Sequence, residues 1–294
     1  MSLAIVIPAF KGKYFKETLQ SIEDQTCKDF QLYIGDDDSP DNLRDIVCST
    51  LKTVQYTYKK FDKNLGSQNL VAQWERCIDL INDERWIWLF GDDDVMSSKT
   101  IEFIIPALNT EKSLIRLNKA SNIERLQKNN FGTEKLNFKD FLRAFSINET
   151  SMSDFLYKRS VYCKVGITNF PAAWNSDIAT ILNISLHSNG IFYFNSKLIY
   201  FRKSDLHISN PSNNKPEKIK ADRLFLIWLV SFLRKLNKNE KDVFFEEFNT
   251  LLFRKLHIIF KAQNTVFFFI KNLIINFKLF GLCKGVKNLF YLLR

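Results

Sequence analysis

Two runs of three aspartates are the residues in this chain most able to do chemistry. Asp36-Asp37-Asp38 and Asp92-Asp93-Asp94 each follow a short apolar run that predicts a buried β-strand. Adjacent carboxylates repel one another, which costs stability unless a cation offsets the repulsion. Hard divalent cations bind oxygen ligands and are often held by one or two carboxylates together with phosphate groups. The second run therefore favours a metal and phosphate site, and a solvated acidic turn is the alternative.

The strands that precede these aspartates indicate where the two runs would meet. Apolar runs alternate with helical spacings over the first hundred residues, which is typical of βαβ units and a mostly parallel sheet. Ligands of open α/β sheets bind outside the carboxyl ends of the strands, so we expect both runs along one crevice. The predicted strands are residues 3–7, 30–34, 54–58 and 86–90, and the predicted helices lie within 15–22, 42–51 and 70–81.

The first run, at residues 36–38, has a different chemical use. A carboxylate only accepts hydrogen bonds, which suits the N–H of a uracil-like ring or the hydroxyls of a sugar. The alternative is an Asx-type turn in which Asp38-Ser39-Pro40-Asp41 caps the next helix.

The pattern is looser after residue 100. We expect helices at 101–108 and 178–186, short strands at 114–117, 152–157, 192–194 and 198–202, and a poorly patterned segment at 123–137. The stretch 210–216 is the clearest linker, and it predicts an α/β domain over residues 1–213 followed by a helical C-terminal region over 214–294.

Composition restricts the class of protein and its partners. The chain has 294 residues, 46% of them hydrophobic, a net charge of +10 and a pI near 9.2. That charge suggests an anionic partner: a nucleic acid, an anionic membrane surface or a phosphorylated small molecule.

The five cysteines are scattered without a CxxC pair, so neither a disulfide framework nor a zinc site is predicted and a reducing cytosol fits best. The start of the chain resembles a first strand rather than a signal peptide, and no apolar run reaches the ~20 residues of a membrane span. We therefore expect a cytoplasmic protein.

The C-terminal region is rich in phenylalanine and basic residues. Residues 248–294 contain eight basic residues and no acidic one: Arg254, Lys255, Lys261, Lys271, Lys278, Lys284, Lys287 and Arg294. The stretch 265–294 favours a basic amphipathic helix on the inner face of an anionic membrane. An ordinary helical subdomain with solvated lysines is the alternative.

Taken together, several motifs resemble a known family. Residues 1 to about 205 resemble a family 2 glycosyltransferase with the GT-A fold. The matching elements, in order, are Ile5-Val6-Ile7-Pro8-Ala9-Phe10, Ser21-Ile22 with Gln25-Thr26, Asp36-Asp37-x-Ser39-x-Asp41, Asn64-x-Gly66, and the strand ending in the second acidic run. The form Trp86-x-Trp88-Leu89-Phe90-Gly91-Asp92-Asp93-Asp94 resembles the abequosyltransferase-like branch of bacterial O-antigen and capsule enzymes.

The resemblance implies roles for these residues. Pro8, Ala9 and Phe10 would line the nucleotide pocket, with Asp37 on the base and Asp36 beside it. Asp92 and Asp93 would meet the ribose and the metal (Mn2+ or Mg2+) on the donor diphosphate, with Asp93 as the direct ligand and Asp94 adjacent. The chain departs from the family at Lys11, where asparagine or glutamate is more usual, and at Gly91, where many members have aspartate.

The second half of the domain should supply a general base, because an acceptor hydroxyl must lose its proton as it attacks the anomeric carbon. Asp177 lies where the family keeps that residue, just before a predicted helix, and an N-cap is the alternative role. The neighbouring Trp174 suits either stacking on a sugar ring or core packing.

A loop after the last predicted strand is similar to a family loop that closes over the diphosphate. In it, Arg202 and Lys203 are suitable phosphate partners, and His207 is either a further metal ligand or a solvated loop residue.

Three functions follow from these observations. The first is a metal-dependent inverting transfer of a hexose-type sugar from a nucleotide diphosphate, most simply a UDP-sugar, to a glycan or lipid-linked acceptor in bacterial surface polysaccharide synthesis. The second is a non-catalytic nucleotide-sugar-binding or scaffolding protein. The third, nucleic-acid binding, is disfavoured because the predicted crevice is acidic.

Overall fold

The computed structural model describes residues 2–126, 132–146, 150–188, 190–202, 215–262 and 270–281. Within these residues one mixed sheet contains nine strands: β1 (Leu3–Ala9), β2 (Gln31–Asp36), β3 (Tyr56–Lys60), β4 (Trp86–Leu89), β5 (Val95–Met96), β6 (Leu114–Ala120), β7 (Thr133–Leu136), β8 (Phe155–Lys158) and β9 (Ile191–Tyr200). Their order is β3-β2-β1-β4-β8-β6-β9-β5, and β7 pairs with β9.

The first four strands form a parallel block, as the sequence predicts. β1 pairs in parallel with both β2 and β4, and β2 pairs in parallel with β3. β8 then joins β4 and β6 in antiparallel pairs, whereas β6 and β9 run parallel. Because β1 lies between β2 and β4, the two acidic runs flank the carboxyl end of β1.

Helices cover both faces of the sheet. Along the described residues they are α1 (Phe15–Glu23), α2 (Leu43–Thr50), α3 (Leu70–Ile78), α4 (Thr100–Ala107), α5 (Phe138–Ser146), α6 (Arg159–Val165), α7 (Ser176–His187), α8 (Lys215–Leu233) and α9 (Lys238–Lys261). Residues 270–281 are also helical. The start of α9 is specified locally by a capping box between Asn237 and Glu240.

Successive side chains of β1 point to opposite faces of the sheet, and both faces are buried, which explains why the strand is apolar at every position. Leu3, Ile5 and Ile7 enter one hydrophobic core together with residues of α1, α2 and α4. Ala4 and Val6 enter the core on the other face, with residues of α3, α5 and α7. Both faces are therefore buried, which is the arrangement that a parallel sheet with uninterrupted apolar strands requires.

The C-terminal helices α8 and α9 belong to that second core. Phe225, Phe244 and Phe248 are buried in it, and the rings of Phe244 and Phe248 stack with centroids 4.4 Å apart. In the helical segment 270–281, Ile275 and Leu279 are buried against the same core. Phe225, Phe244 and Phe248 are thus used in packing.

No helix among the described residues is long and apolar enough to cross a membrane. The expected boundary between residues 213 and 214 remains a prediction, because residues 203–214 are outside the described part of the chain.

Several local differences separate the predicted elements from the observed ones, and β5, α5 and α6 were not predicted. Residues 192–194 and 198–202, predicted as two strands, belong mainly to the single strand β9. The polar Asn195 and Ser196 suggested a break, but β9 accommodates them through register irregularities with β6 and a hydrogen bond from Gly132 N to Ser196 Oγ. The poorly patterned segment contains the exposed strand β7, and residues 152–154 form a short 3-10 turn before β8.

Candidate active site

The aspartates after β4 are tied to the end of β1. Asp92 Oδ2 accepts hydrogen bonds from the backbone N–H groups of Phe10 (2.9 Å) and Lys11 (2.8 Å). Asp92, Asp93 and Asp94 are all nearly buried, as are Asp36 and Asp37 after β2. We call these five aspartates the strand-end cluster.

Lys11 supplies a cation to this cluster. Its Nζ lies 3.1 Å from Asp93 Oδ2 and 3.7 Å from Asp92 Oδ1. Burial lowers the pKa of the Lys11 ammonium, but Asp92 and Asp93 outweigh that effect, so its pKa is raised overall. The unusual lysine thus offsets part of the repulsion among the carboxylates.

Asp94 is held from the opposite side. Burial, reinforced by the neighbouring charge of Asp93, raises the pKa of the Asp94 carboxyl to about 7. Its Oδ1 accepts from Arg202 N at 3.1 Å, and Arg202 Nε donates to Asp93 O at 3.0 Å. A side chain at Gly91 would place its Cβ 2.7 Å from Asp94 Oδ2, so a larger residue there would require the Asp94 carboxylate to shift.

The guanidinium of Arg202 lies 4.2 Å from the centre of the Tyr14 ring, and it also pairs with Glu17. Arg202 thus lies beside the strand-end cluster, and its role as a phosphate partner stays a prediction. Lys203 and His207, predicted for the same loop, lie outside the described residues, so their roles stay predictions.

The aspartates after β2 shape neighbouring loops. Asp37 accepts from Leu65 N (2.7 Å), from Gly66 N (2.8 Å) and from Arg76. Asp36 accepts from Ser39 N (2.8 Å), three residues further along the chain, and from the hydroxyl of Tyr58. An Asx-type turn spans two residues, so this bond differs from the turn predicted at Asp38-Ser39-Pro40-Asp41.

The helix-capping part of that alternative is not observed. Asp41 Oδ2 accepts from Gly12 N at 2.7 Å, and no side chain caps α2. The turn therefore ties the loop after β2 to the loop after β1.

The predicted nucleotide-pocket residues lie between the two acidic runs. Pro8 pairs with Gly35 and Ala9 with Asp36 across β1 and β2, and Ala9 O accepts from Asp37 N at 2.9 Å. Phe10 leaves the sheet and is 37% exposed, the most exposed of the three. The structure thus brings Pro8, Ala9, Phe10 and the strand-end cluster together at one edge.

The fit of a divalent cation depends on the free carboxylate oxygens. The described residues contain no group of three or more metal-type side chains arranged to hold an ion by themselves. Asp93 is the best-placed single ligand, because Asp92 is occupied by two backbone N–H groups and Asp94 by Arg202 N. The Lys11 ammonium shows that this position favours a positive charge. These residues fit a cation held by Asp93 together with donor phosphates, provided that Lys11 moves aside.

Asp177 lies in the first turn of α7. The N-cap position belongs to Asn175, and Asp177 Oδ1 accepts from Ile178 N at 2.8 Å. Burial is the largest influence on the Asp177 carboxyl and, with the negative charge of Asp154, raises its pKa to about 6, while Lys119 and Lys255 oppose the shift. A carboxyl with this pKa is able to accept a proton near neutral pH.

The chain just before Asp177 is held by the C-terminal helices. Asp222 of α8 accepts hydrogen bonds from Trp174 Nε1 (3.0 Å) and Asn175 Nδ2 (2.9 Å) and pairs with Lys255 of α9. Lys255 Nζ also donates to Asn175 Oδ1 at 2.7 Å. We call Trp174, Asn175, Asp177, Asp222 and Lys255 the helix-entry cluster.

Asp154 connects the two clusters electrostatically, and the sequence analysis missed it. It is fully buried, forms an ion pair with Lys119 at 2.9 Å, and raises the pKa values of both Asp94 and Asp177. The available signal was the Ser151-x-x-Asp154 pattern of a capping box. Asp222 and Lys255 had no comparable signal, since each lies far along the chain from Asp177.

Comparisons with solved structures show the fold. S. aureus TarS 1–349 in complex with UDP-GlcNAc superposes with a TM-score of 0.69 at 12% identity, covering 98% of this chain and 89% of that chain. The mannosyltransferase PcManGT from Pyrobaculum calidifontis, in complex with GDP-Man and Mn2+, superposes with a TM-score of 0.57 at 11% identity, covering 99% and 79%. No curated protein matches the sequence.

The family follows from the sequence itself. Residues 4–163 match the model described as glycosyl transferase family 2, which is more than half of the chain and includes the strand-end cluster. The GT-A-like fold agrees with that match. The chain therefore belongs to glycosyl transferase family 2 and is a glycosyltransferase.

Proposed function

We propose that this enzyme carries out a metal-dependent, inverting transfer of a sugar from a nucleotide-diphosphate donor, most simply a UDP-sugar. The observation that carries the proposal is the convergence of the strand-end cluster at the carboxyl end of β1, in a chain that belongs to glycosyl transferase family 2. The solved relatives in complex with UDP-GlcNAc and with GDP-Man and Mn2+ support a nucleotide-sugar donor and a metal.

In this proposal the nucleotide lies against Pro8, Ala9 and Phe10. Asp36 and Asp37 shape the base pocket through the loops that they hold, and Asp92 faces the ribose. Arg202 stabilises the diphosphate in this proposal, and its hydrogen bond to the backbone of Asp93 supports that role.

The metal belongs to Asp93, with Asp94 adjacent. When bound, Mg2+ or Mn2+ would neutralise charge on the departing diphosphate. Lys11 has to leave Asp93 for this to happen, and its ammonium is then free to pair with a donor phosphate.

Asp177 is the proposed general base. Its carboxylate takes the proton of the acceptor hydroxyl as that oxygen attacks the anomeric carbon, and the bond from this carbon to the diphosphate oxygen breaks. Attack from the face opposite the diphosphate inverts the anomeric configuration. Protonated Asp177 then returns its proton to solvent, and the nucleoside diphosphate leaves.

The acceptor in this proposal is a glycan or lipid-linked saccharide of bacterial surface polysaccharide synthesis. The basic residues of the C-terminal region and the resemblance to abequosyltransferase-like enzymes support it. The same observations support a cytoplasmic enzyme that binds peripherally to the inner face of the membrane.

The test is calorimetric titration of UDP, CDP and GDP, with and without Mn2+, on the wild type and on Asp93→Asn. We expect one nucleotide to bind only with metal, and Asp93→Asn to lose that binding. Asp38→Asn is the matched control, because Asp38 is an exposed aspartate of the first acidic run whose positive φ asparagine tolerates. Failure of all three nucleotides to bind with metal present would contradict the proposal.

A transfer assay on the same protein distinguishes the proposed enzyme from a non-catalytic nucleotide-sugar-binding protein. The enzyme is incubated with saccharide acceptors and with sugars conjugated to the nucleotide that binds. It should release the nucleoside diphosphate and form a product whose anomeric configuration is inverted. A wild type and an Asp177→Asn variant that bind the nucleotide equally well, and that transfer sugar to none of the acceptors, would favour a nucleotide-sugar-binding protein.

A further inference from the structure

The segment before α7 has an unusual backbone. Ala172, Ala173 and Asn175 have φ values of 53°, 52° and 67°, all in the left-handed region. Alanine rarely adopts this conformation, and such residues persist only where the surrounding structure holds them. Asp177 lies two residues after this segment, so the placement of its carboxyl depends on whatever holds the backbone.

The contacts that hold the segment come from the C-terminal helices. Asp222 Oδ1 receives Trp174 Nε1, Asn175 Nδ2 and Lys255 Nζ, and Lys255 Nζ also reaches Asn175 Oδ1. Asn175, Asp222 and Lys255 are at least 90% buried. Both ends of the Asn175 amide are thus satisfied by one buried ion pair between α8 and α9.

A buried ion pair of this kind is an uncertain source of stability. Desolvation of two charges often cancels their attraction, and an apolar pair of similar volume is commonly as stable. The pair and its amide partner do, however, define a single geometry, since Asp222 Oδ1 accepts from three donors and Lys255 Nζ donates to two acceptors. That property suits a positioning role better than a stabilising one.

We propose that Asp222 and Lys255 are positioning residues for Asp177: the C-terminal helices clamp Asn175 and Trp174 and thereby fix the start of α7 for proton transfer. This inference rests on the proposed function, in which Asp177 is the general base. It assigns to the C-terminal region a part in acceptor activation, in addition to any role at a membrane.

Two variants test the clamp in different ways. Lys255→Met removes the cation and leaves Asp222 without its charge partner. Asn175→Gly removes only the clamped amide and leaves the ion pair intact, and glycine adopts the positive φ without strain. Lys238→Met is the control, because it removes the same charge from an exposed position of α9.

The first measurement is hydrogen exchange of the peptide spanning residues 171–178, which needs no substrate. Both test variants should exchange faster there than the wild type, while peptides of β1 and β4 and the control variant are unchanged. Thermal melts identify any variant that fails to fold, and Asn175→Gly keeps the test available if Lys255→Met does not fold. Wild-type exchange in a folded Asn175→Gly would overturn the proposal.

The second measurement is kinetic. Misplacing a catalytic group by about 1 Å costs on the order of 10²-fold in rate, so both variants should lower kcat by about that factor. Nucleotide affinity should stay at the wild-type value, because the strand-end cluster is held by other contacts. Retention of the wild-type kcat in variants with faster exchange would also overturn the proposal.

The two measurements separate this inference from the proposed function. A wild type without nucleotide binding or transfer contradicts the proposed function, whereas exchange at residues 171–178 still reports on the clamp. If the wild type is active and the Asp177→Asn variant retains full activity, Asp177 is not the general base, and the positioning role proposed for Asp222 and Lys255 is also contradicted.

Discussion

The strand-end cluster and the helix-entry cluster are assembled from the chain in different ways. In the strand-end cluster, Asp36 ends β2, Asp37 follows it directly, and Asp92, Asp93 and Asp94 come within five residues of the end of β4. Backbone N–H groups of the adjoining loops satisfy Asp92 and Asp37. In the helix-entry cluster, Asp222 and Lys255 reach Asn175 across 47 and 80 residues of sequence. The first site depends on the ends of sheet strands, whereas the second depends on how distant helices pack.

This contrast suggests a division of labour. A parallel sheet brings its strand ends together in any chain that forms it, which suits a donor site built of recurring parts. A site held by distant helices changes whenever their packing changes, which suits the recognition of a particular acceptor. The two sites should therefore respond separately to substitution.

The largest expected effects come from the two central carboxylates. Asp177→Asn should lower kcat by about 10²- to 10⁴-fold, the usual contribution of a general base, and leave nucleotide affinity unchanged. Asp93→Asn should abolish metal-dependent nucleotide binding. Steady-state kinetics and calorimetry on both variants check this separation, and a loss of nucleotide binding in Asp177→Asn would break it.

A smaller effect is expected from Asp37, which holds the loop at residues 65–66. Asp37→Ala leaves two N–H groups and the Arg76 guanidinium without their acceptor. Stability should fall by about 1–3 kcal/mol, the usual cost of removing one partner of buried hydrogen bonds. Urea denaturation measures this loss, and calorimetry should show weaker nucleotide binding. As a control, hydrogen exchange at residues 171–178 should be unchanged, which would show that the substitution affects only the strand-end cluster.

The pH dependence should report the helix-entry cluster. If Asp177 is the general base, as proposed, it acts only when it is deprotonated, so kcat should fall as the pH drops through about 6, by about tenfold per pH unit below the transition. Lys255 lowers the pKa of Asp177, so Lys255→Met should move the transition to higher pH. Asp154 raises it, so Asp154→Asn should move the transition to lower pH.

Asn175→Gly provides the comparison for this titration. It retains both Lys255 and Asp154, so its rate should fall without a shift in the transition. Rates measured from pH 5 to 8 check all three variants, and an identical profile in Lys255→Met would contradict the assignment of the transition to Asp177.

The smallest effect concerns Lys11. Lys11→Met should lower the melting temperature slightly in the absence of metal, because Asp92 and Asp93 lose their cation. Mn2+ should then raise the melting temperature more than in the wild type, since a ligand that binds only the folded state stabilises it in proportion to RT ln(1 + [L]/Kd). Lys13→Met, a change at the neighbouring surface lysine, is the control. An equal Mn2+ response in Lys11→Met and the wild type would show that Lys11 does not compete with metal.

Much of the fold and one of the two clusters can be predicted from the sequence. The strands at residues 3–7 and 86–90 were recognisable because both faces are buried, which makes every position apolar. β9 was divided in two because Asn195 and Ser196 are polar, and only pairing with its neighbours shows that the strand continues. Lys255 was grouped with the basic surface of the C-terminal region, although the structure buries it against Asp222.

By itself, the sequence determined the parallel block of the sheet, the placement of two acidic runs at its carboxyl edge and the membership in glycosyl transferase family 2. These features depend on residues close together in the chain, where periodicity and turn chemistry act directly. Only the tertiary structure decided that Lys11 lies between Asp92 and Asp93, that Asp154 acts on both carboxyl groups, and that α8 and α9 hold the segment before Asp177. These contacts join residues that are far apart in the sequence. Tertiary packing brings them together, and no local sequence pattern indicates it.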